Sequence, residues 1–64
     1  MNLWLNGKEH QTEAATLAAL VAELGLPARA ILIEKNGVAL RRDEWGRELR
    51  EGDRLEVVRI VAGG

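Results

Sequence analysis

The chain has 64 residues, nine basic and ten acidic, with a net charge of −1, no cysteine and one histidine. This composition excludes a second domain, a disulfide framework and a zinc site of the cysteine–histidine type. The charge is balanced and only two residues are aromatic, so we expect no binding to nucleic acid. No apolar run is long enough to span a bilayer, so we expect no membrane insertion. We therefore expect a soluble, cytoplasmic protein that is a monomer in isolation.

The opening segment predicts a β-hairpin. Leu3 and Leu5 fall on one face and Trp4 on the other, which is the period of a strand with one apolar side. Asn6-Gly7 is the preferred pair for a two-residue hairpin turn, because both positions tolerate positive φ. A second short strand is therefore expected over 8–11.

The segment 12–27 predicts the one helix of the chain. Its apolar residues recur at i, i+3, i+4 and i+7 and form a single stripe: Leu17, Leu20, Val21 and Leu24. The hydroxyl of Thr12 or Thr16 can cap its beginning. Gly25 suits a left-handed residue after the last turn, and Pro27 prevents the helix from continuing.

A second hairpin follows the helix. A strand is predicted over 31–35, the turn at Asn36-Gly37 and the returning strand over 38–41. The polar segment after it contains Trp45, which we expect in a short helical turn where its ring closes the bottom of the core. A tight turn is predicted at 51–53.

The last strand carries apolar residues on both of its faces. If Leu55 and Val57 face the core, Val58 and Ile60 lie on the open face of the sheet. Small sheets carry some exposed valine and isoleucine without a function, and that is one interpretation. The other is a docking patch for a partner protein, which Trp4 would widen.

The order β-β-α-β-β-β predicts an α+β fold with one helix covering a mixed sheet of four to five strands. With the first and last strands parallel at the centre of the sheet, this arrangement is the β-grasp, or ubiquitin-like, fold. The alternative is a small barrel with one helix. Residues 1–61 would form a single β-grasp domain, and residues 62–64 a flexible Ala-Gly-Gly tail.

The sequence ends on Ala62-Gly63-Gly64, directly after the last strand. A frayed terminus is the simple interpretation. The functional one is that the strand holds the tail at a fixed exit, and that an extended Gly-Gly enters a slot too narrow for other dipeptides. A partner enzyme could then reach the carboxylate of Gly64.

The chain offers no catalytic group of its own. One histidine, His10, cannot form a Ser/His/Asp grouping, and we expect it in a solvated strand position. The paired acidic residues lie in turn-like segments and are typical of solvated turns. The sequence therefore indicates a protein that is not an enzyme and binds no metal.

Several segments together resemble the ThiS family of sulfur carriers in bacterial thiamin biosynthesis. They are the Asn6-Gly7 hairpin, the "TLAALVAELGL" helix at 16–26, "NG" at 36–37, "RDEW" at 42–45, "EGDRLEVVRIV" at 51–61 and the closing "AGG". Terminal Gly-Gly also occurs in ubiquitin and in the small subunit of molybdopterin synthase. The resemblance covers the whole length of the chain.

The resemblance implies a defined sequence of partners. An E1-like adenylyltransferase of the ThiF kind uses ATP and magnesium to adenylate the Gly64 carboxylate, and this chain binds no cofactor itself. A cysteine desulfurase system supplies sulfur, and the resulting thiocarboxylate donates it to thiazole synthase of the ThiG kind. Gly63 and Ala62 would thread the enzyme's channel, and the carrier would act in complexes with these proteins.

Other functions remain open at this point. The chain could carry sulfur for tRNA thiolation, molybdopterin or cysteine synthesis, or act as a ubiquitin-like modifier that forms isopeptide bonds. It could also be a non-catalytic β-grasp binding module, in which case the tail would be inert.

Overall fold

The computed structural model describes residues 1–61, which form one mixed five-stranded sheet with a helix packed on one face. The strands are β1 (Asn2–Leu5), β2 (Lys8–Gln11), β3 (Ile31–Lys35), β4 (Val38–Leu40) and β5 (Arg54–Arg59), and the helix is α1 (Leu17–Glu23). Their spatial order is β2-β1-β5-β3-β4. β1 and β5 are parallel neighbours at the centre and all other pairs are antiparallel, which confirms the predicted β-grasp fold.

Both predicted Asn-Gly turns are present and set the register of their hairpins. Asn6 and Gly7 have φ of 50° and 79°, and Asn36 and Gly37 have φ of 53° and 85°. Two successive residues of positive φ give the turn whose twist matches that of the flanking strands. The returning strand β4 ends one residue earlier than predicted, at Leu40.

The helix is shorter than predicted, because residues 12–16 are not helical. The Ala15 carbonyl accepts a hydrogen bond from the Leu49 amide at 2.8 Å, and Thr16 forms a β-bridge with Glu48. These long-range bonds keep residues 15 and 16 out of the helix, and Thr16 has an extended backbone. The cap is Thr16, whose hydroxyl accepts from the Ala19 amide at 3.1 Å.

The end of α1 agrees with the sequence pattern. Gly25 has a φ of 66°, and its amide donates to the Ala22 carbonyl at 3.1 Å. The next amide, of Leu26, donates to the Val21 carbonyl at 3.1 Å. This pair of bonds is the Schellman motif, which satisfies carbonyls that the helix leaves unpaired.

The core lies between the sheet and α1 and is closed from below by Trp45, as predicted. Its buried apolar side chains come from every part of the chain: Leu3, Ala14, Leu17, Leu20, Val21, Ile31, Ile33, Trp45, Leu49 and Leu55. Trp45 follows a 3-10 turn, Arg42–Glu44, which the sequence had indicated as a short helical turn. A second 3-10 turn, Ala28–Ala30, leads into β3.

His10 differs from the prediction of a solvated strand position. It lies opposite Leu3 in the β1–β2 pair, which puts it on the helix side of the sheet, where it is half-buried. Its Nε2 lies 3.7 Å from Oε2 of Glu23 at the end of α1. The period of β2 is visible in the sequence, but the helix end that covers His10 is not.

Within residues 1–61, no helix is long and apolar enough to cross a membrane. The predicted tail, Ala62-Gly63-Gly64, lies outside the described residues.

Candidate docking surface and carboxyl-terminal tail

The open face of the sheet carries an apolar patch where β5 ends. Leu32 and Val58 are Cα partners across β3 and β5, and both side chains are more than half exposed. Ile60 follows two residues after Val58 and is also exposed. We call Leu32, Val58 and Ile60 the exit patch, because the chain leaves the folded body beside them.

Backbone bonds fix the direction in which the chain leaves the sheet. The Ile60 amide donates to the Ala30 carbonyl at 2.7 Å, which extends the pairing of β3 and β5 beyond Arg59. The following residue, Val61, is 80% exposed and is the last one described. The 3-10 turn at 28–30 therefore anchors the end of β5.

That turn is itself held to the core. Nη2 of Arg42 donates to the Ala28 carbonyl at 3.1 Å, and the guanidinium carbon lies 5.9 Å from the centroid of the Trp45 ring. A guanidinium over an indole face gains cation–π attraction. Arg42 thus connects the exit of the chain to the buried tryptophan.

The structure separates Trp4 from the exit patch. Trp4 lies on the open face and is exposed, but its partner on β5 is Arg54. Arg54 and Val58 are four positions apart, so the two sites lie about 13 Å apart along the strand. Trp4 instead borders a surface depression of about 290 Å³, which is lined by Trp4, Gly7, Arg54, Leu55 and Glu56.

An acidic pair lies between Trp4 and the exit patch. Glu34 and Glu56 are directly opposite each other across β3 and β5, at the open-face position next to the Leu32–Val58 pair. Both are exposed. The face therefore presents an apolar pair beside the exit and an acidic pair next to it.

Sequence reasoning placed Val58, Ile60 and Trp4 on the open face, where the structure has them exposed, but did not single out Leu32, Ala30 and Arg42. The alternation of β3, with Ile31 and Ile33 buried, was the signal that could have placed Leu32 on the open face. Ala30 and Arg42 gave no such signal, because their contacts join segments distant in sequence.

The described residues offer little for catalysis or metal binding. No group of three or more histidine, aspartate or glutamate side chains among residues 1–61 is arranged to hold a metal ion. Asp53, the buried acid, accepts from Asn36 Nδ2 at 3.1 Å and from the Arg50 amide at 2.9 Å. These bonds close the turn before β5 and leave the carboxylate a structural role.

Comparisons of the sequence and of the structure with known proteins agree with each other. The model of the ThiS family matches residues 4–64. The sulfur carrier protein ThiS of Thermus thermophilus is 35% identical over 63 residues, which cover 97% of this chain and 98% of that protein. The crystal structure of the thiamine biosynthesis protein ThiS from Geobacter metallireducens is similar with a TM-score of 0.85 and 29% identity, over the whole of both chains.

A relative of a different kind is the thiazole synthase of Paramagnetospirillum magneticum. It is 33% identical over 66 residues, which cover 100% of this chain but only 20% of that protein. The chain thus spans a fifth of that relative's length, and most of the relative has no counterpart in it.

Proposed function

Because the chain belongs to the ThiS family, whose members carry sulfur in thiamine biosynthesis, we propose that it carries this sulfur as a thiocarboxylate on Gly64. Membership in a family of sulfur carriers confirms the prediction that the chain is a carrier and not an enzyme.

The observation that carries the proposal is the extent of the family match. The match continues from the folded body through Val61 to Gly64, so the family pattern includes the tail as well as the sheet. The anchored end of β5 supports the same assignment, because it fixes where the tail starts relative to the exit patch.

The chemistry requires activation, since a carboxylate is a poor acyl donor. The Gly64 carboxylate attacks the α-phosphorus of ATP, pyrophosphate leaves, and an acyl-adenylate forms. A sulfur nucleophile then attacks the acyl carbon, and AMP leaves with the electron pair of the broken bond. We assign ATP and magnesium to an E1-like adenylyltransferase, and the supply of sulfur to a cysteine desulfurase system.

The acceptor in this proposal is thiazole synthase. A protein of that name contains a region similar to this entire chain, which favours a physical association between carrier and synthase. Val58 and Ile60 would dock on the partner while Ala62 and Gly63 thread its channel. Binding at the exit patch would then position the thiocarboxylate and reduce the entropic cost of the transfer step.

The test is the intact mass of the protein after incubation with its adenylyltransferase, ATP, magnesium and sulfide. Replacement of one oxygen by sulfur at the activated acyl group adds about 16 Da. A variant that lacks Gly64 is the control and should keep its mass. An unchanged mass for the full chain would contradict the proposal, and linkage of Gly64 to lysines of other proteins would indicate a modifier instead.

A further inference from the structure

The open face presents two neighbouring pairs of opposite character. The Leu32–Val58 pair is apolar, and the Glu34–Glu56 pair is acidic. Both pairs are in register across β3 and β5, and they lie about 7 Å apart along the strands. The apolar pair belongs to the exit patch, so the acidic pair is continuous with the surface proposed to dock on the partner.

The acidic pair is unfavourable for the isolated protein. Like charges directly opposite each other in an antiparallel pair are destabilising, because their side chains start only about 5 Å apart. Within residues 1–61 the ion pairs join Arg41 to Asp43 and Arg47 to Glu44, and His10 lies near Glu23. None involves Glu34 or Glu56, and Arg54, two residues from Glu56 on the same face, forms no ion pair with it.

A cation placed between the two carboxylates would convert this repulsion into attraction. An arginine or lysine of a partner could bond both side chains, and charge-assisted hydrogen bonds of this kind are the strongest in proteins. The neighbouring apolar pair would accept an apolar side chain about 7 Å from that cation. The two pairs together therefore describe the chemistry of the surface that fits them.

We propose that Glu34 and Glu56 select a thiazole synthase surface on which an arginine or lysine stands beside an apolar side chain. This inference rests on the proposed function, since it takes thiazole synthase as the acceptor of the sulfur. It adds a charge requirement to docking and assigns a role to two residues outside the tail and the exit patch.

The test compares two double variants of equal charge change. Glu34→Gln with Glu56→Gln removes the acidic pair, whereas Glu13→Gln with Glu48→Gln removes two exposed acids outside the sheet. For the thiocarboxylated protein, the first variant should bind thiazole synthase about tenfold more weakly at low salt. The difference from wild type should shrink as salt is raised, because screening weakens exposed charge pairs. The control should bind like wild type.

Unfolding provides the second measurement, because the proposal predicts opposite signs for stability and binding. The Glu34→Gln, Glu56→Gln variant should unfold at a higher urea concentration than wild type while binding more weakly. Equal binding by both variants, or weakening at the adenylyltransferase alone, would overturn the charge requirement and leave the proposed function intact. Wild-type protein that neither binds thiazole synthase nor supports thiazole formation would overturn both.

Discussion

Two asparagines hold β5 from opposite sides at the positions where its neighbours turn away. Oδ1 of Asn6 accepts from the Val57 amide at 2.7 Å, and Oδ1 of Asn36 accepts from the Arg54 amide at 2.9 Å. Each asparagine also adopts the positive φ that its hairpin turn requires. A single residue type thus shapes the turn and completes the hydrogen bonding of the strand that leads to the tail.

The side chain of Asn36 can be tested separately from its backbone. Asn36→Gly keeps a residue that tolerates a φ of 53° but removes the acceptor for the Arg54 amide and the donor to Asp53. The loss of these two hydrogen bonds should lower the free energy of unfolding by about 1–2 kcal/mol. Urea denaturation measures this, and a variant as stable as wild type would show that the side chain contributes nothing.

The narrow slot proposed for the tail can be tested by a substitution at Gly63. Gly63→Val places a β-branched side chain in the segment that we expect to thread the partner's channel, so adenylation should be lost. The core is built from residues 3–57, and the free energy of unfolding should stay at the wild-type value. Pyrophosphate release with the adenylyltransferase and ATP measures the effect. Adenylation of Gly63→Val at the wild-type rate would contradict the prediction that the tail enters a narrow channel.

The helices and strands show which parts of the fold are determined by the local sequence. Both hairpins were predicted because an Asn-Gly pair between two apolar segments is a local signal. The first residue of α1 was predicted less well, because residues 12–16 have helical composition but bond to Glu48 and Leu49. Such competition from a distant loop leaves no trace in the pattern of the helix itself.

A charged substitution at the end of β5 should weaken binding to the partner without unfolding the protein. Ile60→Glu puts a charge into the exit patch, and desolvating that charge against an apolar partner surface is costly. Affinity for thiazole synthase should fall at least tenfold, which isothermal calorimetry would detect. Val38→Glu is the matched control, because Val38 is exposed on β4 opposite Lys35 and away from the exit patch.

The Ile60→Glu variant also tests which face of the sheet Ile60 occupies. If Ile60→Glu unfolds the protein while Val38→Glu does not, Ile60 belongs to the core and the assignment of faces is wrong. If both variants bind with wild-type affinity, the exit patch is not a docking surface.

The whole molecule divides into a folded body and a short segment that we propose to be the working part. The fold and the exposed positions of Val58 and Ile60 followed from the period of the strands. The acidic pair was not predicted, because the facing of Glu34 and Glu56 depends on the register of two strands separated by the second hairpin. Register fixes such pairs, and an unaligned sequence does not reveal it.

If the tail carries the sulfur and the folded body only docks, the folded body alone should not support thiazole formation. A body without a reactive carboxyl should still dock through its open face, because the exit patch and the acidic pair remain. It should deliver no sulfur, since the acyl carbon cannot be activated.

The most direct test compares the protein with a free Gly64 carboxylate and the same protein carrying a terminal amide, in thiazole formation with adenylyltransferase, sulfur source and thiazole synthase. We predict that the free acid supports thiazole formation and that the amide supports none, although both unfold alike and bind the synthase alike. Equal thiazole formation by the amide would contradict a sulfur carrier that works through its last carboxyl group.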